Sequence, residues 1–267
     1  MTFASKGLKV PQNWKNPSGD PAAKHYGDAF QPAEKMTMPA IAVPLLFQPA
    51  SLNKYHTETQ KMHIDKIGSF IEGITSAVCS AVQQCQATCT MSGIVIPAGP
   101  IAMGGQMTCP MPMMPTIMMS APKNTPNLAK YSKAVAQAFD TQWQAFIASI
   151  KIPGLPLWPM FAAFPSPAAV MIPNIPLPLG TLAHAPITGS ALKGLMLSNL
   201  GDMQAPFVQE LFESISTGIE TWFNAWLLAT QVTNVMGNGP VPTMTTPVPV
   251  PGPVTGGTAV MAPGGLV

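Results

Sequence analysis

The sequence predicts a mainly α protein: two or three amphipathic helices, each followed by a long Pro/Gly-rich extended arm, with the unit pseudo-repeated along the chain. Three observations lead there. Apolar residues recur at helical spacing in three separate stretches. A run rich in proline and glycine follows each stretch. Those runs carry almost no charge. An extended apolar chain leaves its own backbone N–H and C=O groups unpaired, so it has to lie against other polypeptide.

Residues 1–50 read as an extended N-terminal arm. They hold Asn13, Asn16, Pro17, Ser18, Gly19 and Asp20 with mixed charge, and an apolar patch from Met38 to Phe47 that could dock. The lysines at 6, 9 and 15 precede no apolar core, so the start does not read as a secretory signal.

Residues 51–122 form a first helix-plus-arm unit. The helix is predicted from about Thr57 to Thr90. Ile64, Ile67, Ile71, Ile74, Val78, Ala81 and Cys85 step by three and four, the alternation of a packed helical seam. One amphipathic helix on a core explains that seam at least as well as oligomerisation. The arm runs from Ile94 to Pro122.

Residues 123–200 form a divergent second unit. Thr125 is a candidate cap, and Pro126 suits the first helical position. Leu128, Tyr131, Val135, Phe139, Phe146 and Ile150 follow near one stripe, and Pro153 stops the helix. The arm from Ile152 to Gly180 contains eight prolines, the first at Pro153 and the last at Pro178. It is apolar enough for a membrane span, but its prolines forbid the continuous helix a span needs. Polyproline-like extended chain is expected instead.

Residues 201–267 form the third unit. Its helix begins near Pro206, with Phe207, Leu211, Ile215, Ile219, Trp222 and Trp226 on one face and Glu210, Glu213 and Glu220 on the other. Gly237 and Gly239 end it, and the arm continues to Val267. Units one and three align in blocks: Gly73-Ile74 with Gly218-Ile219, Met91 with Met236, and Ile96-Pro97 with Val241-Pro242. Repeated units present equivalent surfaces to a symmetric partner, or mimic a ring of subunits.

The charge content excludes several classes. Only 9% of the 267 residues are charged, against about 25% in ordinary soluble proteins, and the net charge is +2. All the basic residues are lysine. Without arginine, the preferred fork for phosphates and base edges is missing, so direct reading of nucleic acid is not expected. Large apolar residues stand in the uncharged stretches and need cover. The expected interface residues are Ile67, Ile71, Ile74 and Val78 on the first helix, Trp158, Phe161 and Phe164 on the second arm, Trp222, Phe223 and Trp226 on the third helix, and Val254 on the last arm.

Candidate chemistry is sparse, and neither a catalytic residue, a metal ligand nor a cofactor is expected. His56 and His63 lie too far apart along a helix to share a metal, and His25 has no evident partner. His184 stands six residues from Ser190, with no acid between Asp140 and Asp202 to orient it, and no G-x-S-x-G is present. Cys85 and Cys89 face one way, one helical turn apart, but zinc would need a fourth ligand beyond the cysteines. Cys79, Cys85, Cys89 and Cys109 read as packed thiols, with a bond from Cys109 to a helix thiol as the alternative. The methionines from Met103 to Met119 read as adaptable interface packing rather than copper ligands.

Duplicated helices, uncharged apolar arms and a terminus reading Gly-Pro-Val-Thr-Gly-Gly…Pro-Gly-Gly-Leu-Val resemble small virion structural proteins of tailed bacteriophages. The resemblance is one of style over most of the chain and transfers no functional residue. It implies a non-enzymatic tail, baseplate or neck component that bridges other subunits of its particle and is assembled in the host cytoplasm. A membrane- or envelope-associated protein, and a hydrolase with a site built from distant residues, are the alternatives.

Overall fold

Among the described residues, part of the proline-rich run after each helix pairs as β-structure, which corrects the mainly α expectation: the chain is mixed α and β, with a five-stranded antiparallel sheet and a small second sheet. A computed structural model describes residues 53–158, 172–202, 205, 207–239 and 255–267. The chain divides into two compact units, residues 1–71 and 72–267, with the boundary inside the first helix. The expected N-terminal arm lies outside the described residues.

Five helices occur among the described residues. They are α1 (Asn53–Thr88), α2 (Met113–Ser120), α3 (Pro126–Ser149), α4 (Gly189–Leu200) and α5 (Val208–Ala229). Helices α1, α3 and α5 are the three predicted from periodicity. Thr125 caps α3 as expected, its Oγ1 accepting from Leu128 N at 3.2 Å, with Pro126 opening the helix. Helix α2 was missed because MMPTIMMS sits inside a proline-rich run. Helix α4 begins at Thr188, whose hydroxyl caps Ala191 N, and ends at Gly201 in a left-handed conformation. Both features are standard termination signals, hidden here among short apolar residues.

The strands are β1 (Thr90–Ala98), β2 (Ile101–Thr108), β3 (Ile152–Pro156), β4 (Leu177–Pro178), β5 (Gln231–Val232), β6 (Val235–Asn238) and β7 (Thr255–Met261). The main sheet has the order β3-β2-β1-β7-β6, and every pair in it is antiparallel. Segment 172–175 pairs along the β6 edge of this sheet and touches the far end of β3. Beyond β6, Ile172 and Gly237 exchange N–H···O bonds of 3.1 and 2.9 Å, and Asn174 N donates to Val235 O at 3.1 Å. At the end of β3, Leu157 N extends the β2 ladder by donating to Pro100 O at 2.9 Å, and Leu157 O accepts from Ile175 N at 2.7 Å, the contact between β3 and segment 172–175. Segment 172–175 therefore joins both edges and closes the hydrogen bonds into a ring. Pairing along β6 covers the edge groups that this strand would otherwise expose.

The buried Asn174 side chain holds this seam. Its Oδ1 accepts from Val235 N at 2.8 Å, and its Nδ2 donates to Val232 O and Ile175 O at 3.0 and 2.8 Å. The ring interior is filled by Met91, Ile94, Ile96, Ala102, Met107, Ile152, Trp158, Val235, Ala259 and Met261, all buried. Trp158 is the largest of these, and its Nε1 donates to Ile172 O at 3.0 Å. Gly237 makes room for it: a Cβ at that position would stand 2.5 Å from the indole Cζ2 and 3.2 Å from Ile96 Cδ1.

Three helix-and-hairpin units follow one another around the ring. Helix α1 leads into β1 and β2, α3 into β3 and segment 172–175, and α5 into β6 and β7. Because all neighbours are antiparallel, β1, β3 and β6 run the same way, so the three helices enter from one end. Just past each helix the first strand residue pairs with its own returning chain: Thr90 with Thr108, Lys151 with Ala183, Gln231 with Val267. The packing is cyclic as well. The return of unit one contacts α3, that of unit two contacts α5, and that of unit three reaches α1 through Gly264 N to Ala87 O at 3.1 Å.

The helices repeat their core positions. Counted back from their ends, the corresponding residues are Cys85, Phe146 and Trp226; Val82, Trp143 and Phe223; Val78, Phe139 and Ile219; and Ile74, Val135 and Ile215. All are buried except Trp226, which is half-buried. The sequence alignment of Ile74 with Ile219 and Met91 with Met236 is displaced by one helical turn: counted from the helix ends, Ile74 corresponds to Ile215 and Met91 to Val232, all four buried. Met91 opposes Met107 and Val235 opposes Met261, all four facing inward, while Met236 pairs with Val260 on the outer side.

Candidate interaction surface

The strands and segment 172–176 contain no ionisable residue. Their outward positions instead carry large apolar side chains. Val95 on β1 is 45% exposed, and Met103, its cross-strand neighbour on β2, is 44% exposed. Ile101, Ile175 and Val260 are exposed beside them. Among the described residues, charged side chains lie on the helices or just beyond their ends, Lys151 immediately before β3 included. There Lys193 and Glu213 join α4 to α5 at 3.3 Å, and Lys130 stands 4.0 Å from Asp202. A barrel with no charge to desolvate, and with apolar side chains standing out from each hairpin, is suited to being covered by protein.

The expected interface residues divide by fate. Ile74, Val78, Trp158 and Phe223 are buried within the chain, and their apolar surface is spent on its own core. Trp222 and Trp226 are half-buried in an aromatic cluster with Trp143, Phe146 and Phe223, and Trp226 Nε1 donates to Gln86 Oε1 at 3.0 Å. Ile67 and Ile71 are part-exposed on α1, within residues 1–71. Phe161, Phe164 and Val254 lie outside the described residues. The exposed barrel residues Val95, Ile101, Met103, Ile175 and Val260 were missed. The available signal was period-two alternation, visible in Ile94-Val95-Ile96 but interrupted by prolines and by a bulge between Met91 and Ile94.

The cysteines form a clasp beneath the first hairpin. Cys85 on α1 is bonded to Cys109 at the end of β2, and Cys89 Sγ lies 3.7 Å from Cys85 Sγ. This is the alternative pairing that the sequence left open, and packed thiols describe only Cys79 and Cys89. Burial pushes the Cys89 thiol up to about 12, so it stays protonated and unreactive. The three sulfurs lie within 4.8 Å of one another, with no fourth His, Cys, Asp or Glu in the group among the described residues. Replacing Cys109 with Ala is expected to cost about 2–4 kcal/mol, the usual worth of closing a loop of this kind. Cys79→Ala, outside the bond, is expected to cost under about 1 kcal/mol. Urea unfolding without reductant checks both, and equal midpoints for Cys109→Ala and wild type would remove the clasp from the account.

A cavity of about 330 Å³ opens beside this clasp, lined by Met107, Cys109, Met111, Met113, Asp140 and Trp143 among others. Trp143 Nε1 is buried there without a hydrogen-bond partner among the described residues. No histidine lines the cavity. His184 holds Leu182 O at 2.8 Å through Nδ1 and packs edge-on against Phe146, and His63 is exposed on α1. The Ser190 hydroxyl lies 3.4 Å from Thr188 Oγ1 beside the α4 cap. These groups do not assemble into a nucleophile–base pair. No helix among the described residues is long and apolar enough to cross a membrane. No family model, no curated protein and no solved structure matches the chain.

Proposed function

We propose that this chain is a structural component of a large protein assembly, the virion of a tailed bacteriophage, where it bridges neighbouring subunits in the tail, baseplate or neck. The observation that supports this is the barrel: six paired segments without one ionisable side chain, and an outer face studded with exposed Val, Ile and Met. An uncharged outer face with several large apolar side chains loses little by being buried against protein. Segment 172–175 covers the β6 edge, so the outward side chains are the main surface offered to a partner. No group in the barrel is equipped for acid–base or nucleophilic work.

Density-gradient fractionation of a producing lysate, with the chain located by mass spectrometry, tests the reading. Co-migration with large, detergent-resistant particles is the expected result. Recovery at monomer size, or with membranes alone, would overturn it.

A further inference from the structure

Three of the four cysteines meet at one point. Cys85 and Cys89 stand one turn apart at the C-terminal end of α1, held there by the bond from Cys89 N to Cys85 O at 2.9 Å, and Cys109 follows the end of β2. Their Sγ atoms all lie within 4.8 Å of one another, and Cys85 and Cys89 are fully buried. The clasp uses two of these sulfurs. Cys89 Sγ stands 3.7 Å from Cys85 Sγ and takes no part in the bond. Metal–thiolate bonds of about 2.3 Å place the sulfurs of a trigonal site about 4 Å apart, so the trio already has the size of one.

The donor set selects the ion. Three sulfurs with no fourth His, Cys, Asp or Glu in the group, among the described residues, fall short of the tetrahedral shell that zinc takes. Cu(I) is a soft ion that a sulfur-only shell satisfies. The cavity beside Cys109 gives an approach, and Met107, Met111 and Met113 line it with thioethers, donors of the same soft class. The C-terminal end of α1 adds carbonyl dipoles that favour a cation. We propose that Cys85, Cys89 and Cys109, once the clasp is reduced, form a trigonal thiolate site for one Cu(I) ion, so that disulfide and metal are alternative ties between α1 and β2. The site stands independently of the assembly reading.

The chemistry balances. A small-molecule thiol reaching Cys109 through the cavity supplies the two electrons and two protons that split the Cys85–Cys109 bond, and is itself oxidised to its disulfide. The copper arrives as Cu(I), so no electron moves on binding. Each Cu–S bond that forms releases its thiol proton to solvent. Burial makes Cys89 hold its proton tightly, and the cation offsets that cost. Binding therefore tightens as pH rises.

Anaerobic titration of the full chain with Cu(I), against the chelator bathocuproine disulfonate, tests the site. The reduced protein is expected to take one ion and the oxidised protein none. X-ray absorption should show three sulfur neighbours, and copper should raise the melting temperature of the reduced protein. Cys89→Ala keeps the disulfide in the oxidised form, so its fold is checked there. After reduction it should bind copper about a hundredfold or more weaker, beyond the roughly 10–100-fold that losing an outer-shell support costs. Cys79→Ala should bind as wild type does. No binding by the reduced protein, two sulfur neighbours instead of three, or equal affinity in Cys89→Ala would overturn the proposal. So would loss of helical circular dichroism on reduction, because the site needs α1 and β2 in place.

Discussion

Replacing Trp158 with Ala is expected to lower the unfolding free energy by about 3–5 kcal/mol, the range for removing a large aromatic from a core. The indole is 2% exposed, fills the ring against Ile96 and the bare backbone of Gly237, and ties Ile172 O into the seam through Nε1. Its removal leaves a void and takes one of the two hydrogen bonds that Ile172 O accepts, the other coming from Gly237 N. Gly237→Leu should be comparably harmful for the opposite reason, since the new side chain begins inside the space the indole occupies. The two effects are coupled. The double variant Trp158→Ala with Gly237→Leu should recover part of the loss, because the leucine then grows into the vacated volume. Urea unfolding of the four proteins measures the cycle. A Trp158→Ala protein within about 1 kcal/mol of wild type would mean that the ring is held by something other than its filling.

Deleting residues 255–267 is expected to abolish cooperative unfolding altogether. The sequence reads this stretch as the end of an extended arm that continues to Val267. In the fold it contains β7, which lies between β1 and β6 and pairs with both. It also carries Val267, bonded twice to Gln231, and Leu266 O, which accepts from Gln86 Nε2 at 3.3 Å. The truncation opens the ring at its middle, leaves two strands with unpaired edges and bares Ile94 and Val235. Binding of an apolar dye and loss of a sharp calorimetric transition are the expected signs. A truncated chain that melts in one transition near the wild-type temperature would show that β7 is dispensable.

The helical half of the fold was legible and the β half was not, for a physical reason. Helices α1, α3 and α5 announce themselves because a wide apolar stripe must recur at helical spacing, and Thr125 with Pro126 marks a start. In the arms, the prolines pointed to polyproline-like extended chain. The observed strands accommodate Pro97, Pro153 and Pro156, and segment 172–176 accommodates Pro173 and Pro176, all with exposed side chains. The N–H donors needed for closure come from Leu157, Ile172, Asn174 and Ile175 between them. The candidate surface shared that blindness. Counting large apolar residues selected Trp158 and Phe223, which the core consumes, and passed over Met103, Ile175 and Val260. Only knowledge of which side of a strand faces out separates the two sets. Whether the chain repeats could be asked from sequence, but the arrangement of the repeats around an axis depends on pairings between distant segments.

Those distant pairings set a timetable for biosynthesis. Met91 pairs with Met261, so the first hairpin cannot acquire its second neighbour until 170 further residues (261 − 91) have been made. Each helix-and-hairpin unit emerges with neutral, apolar strand edges and waits. Long-range closure of this kind is slow, and the waiting state is open to wrong pairing with another nascent chain. The C-terminal strand therefore acts as the release signal of folding: until it arrives, the protein is a set of adhesive halves, and its yield in a cell depends on what shields them in the interval.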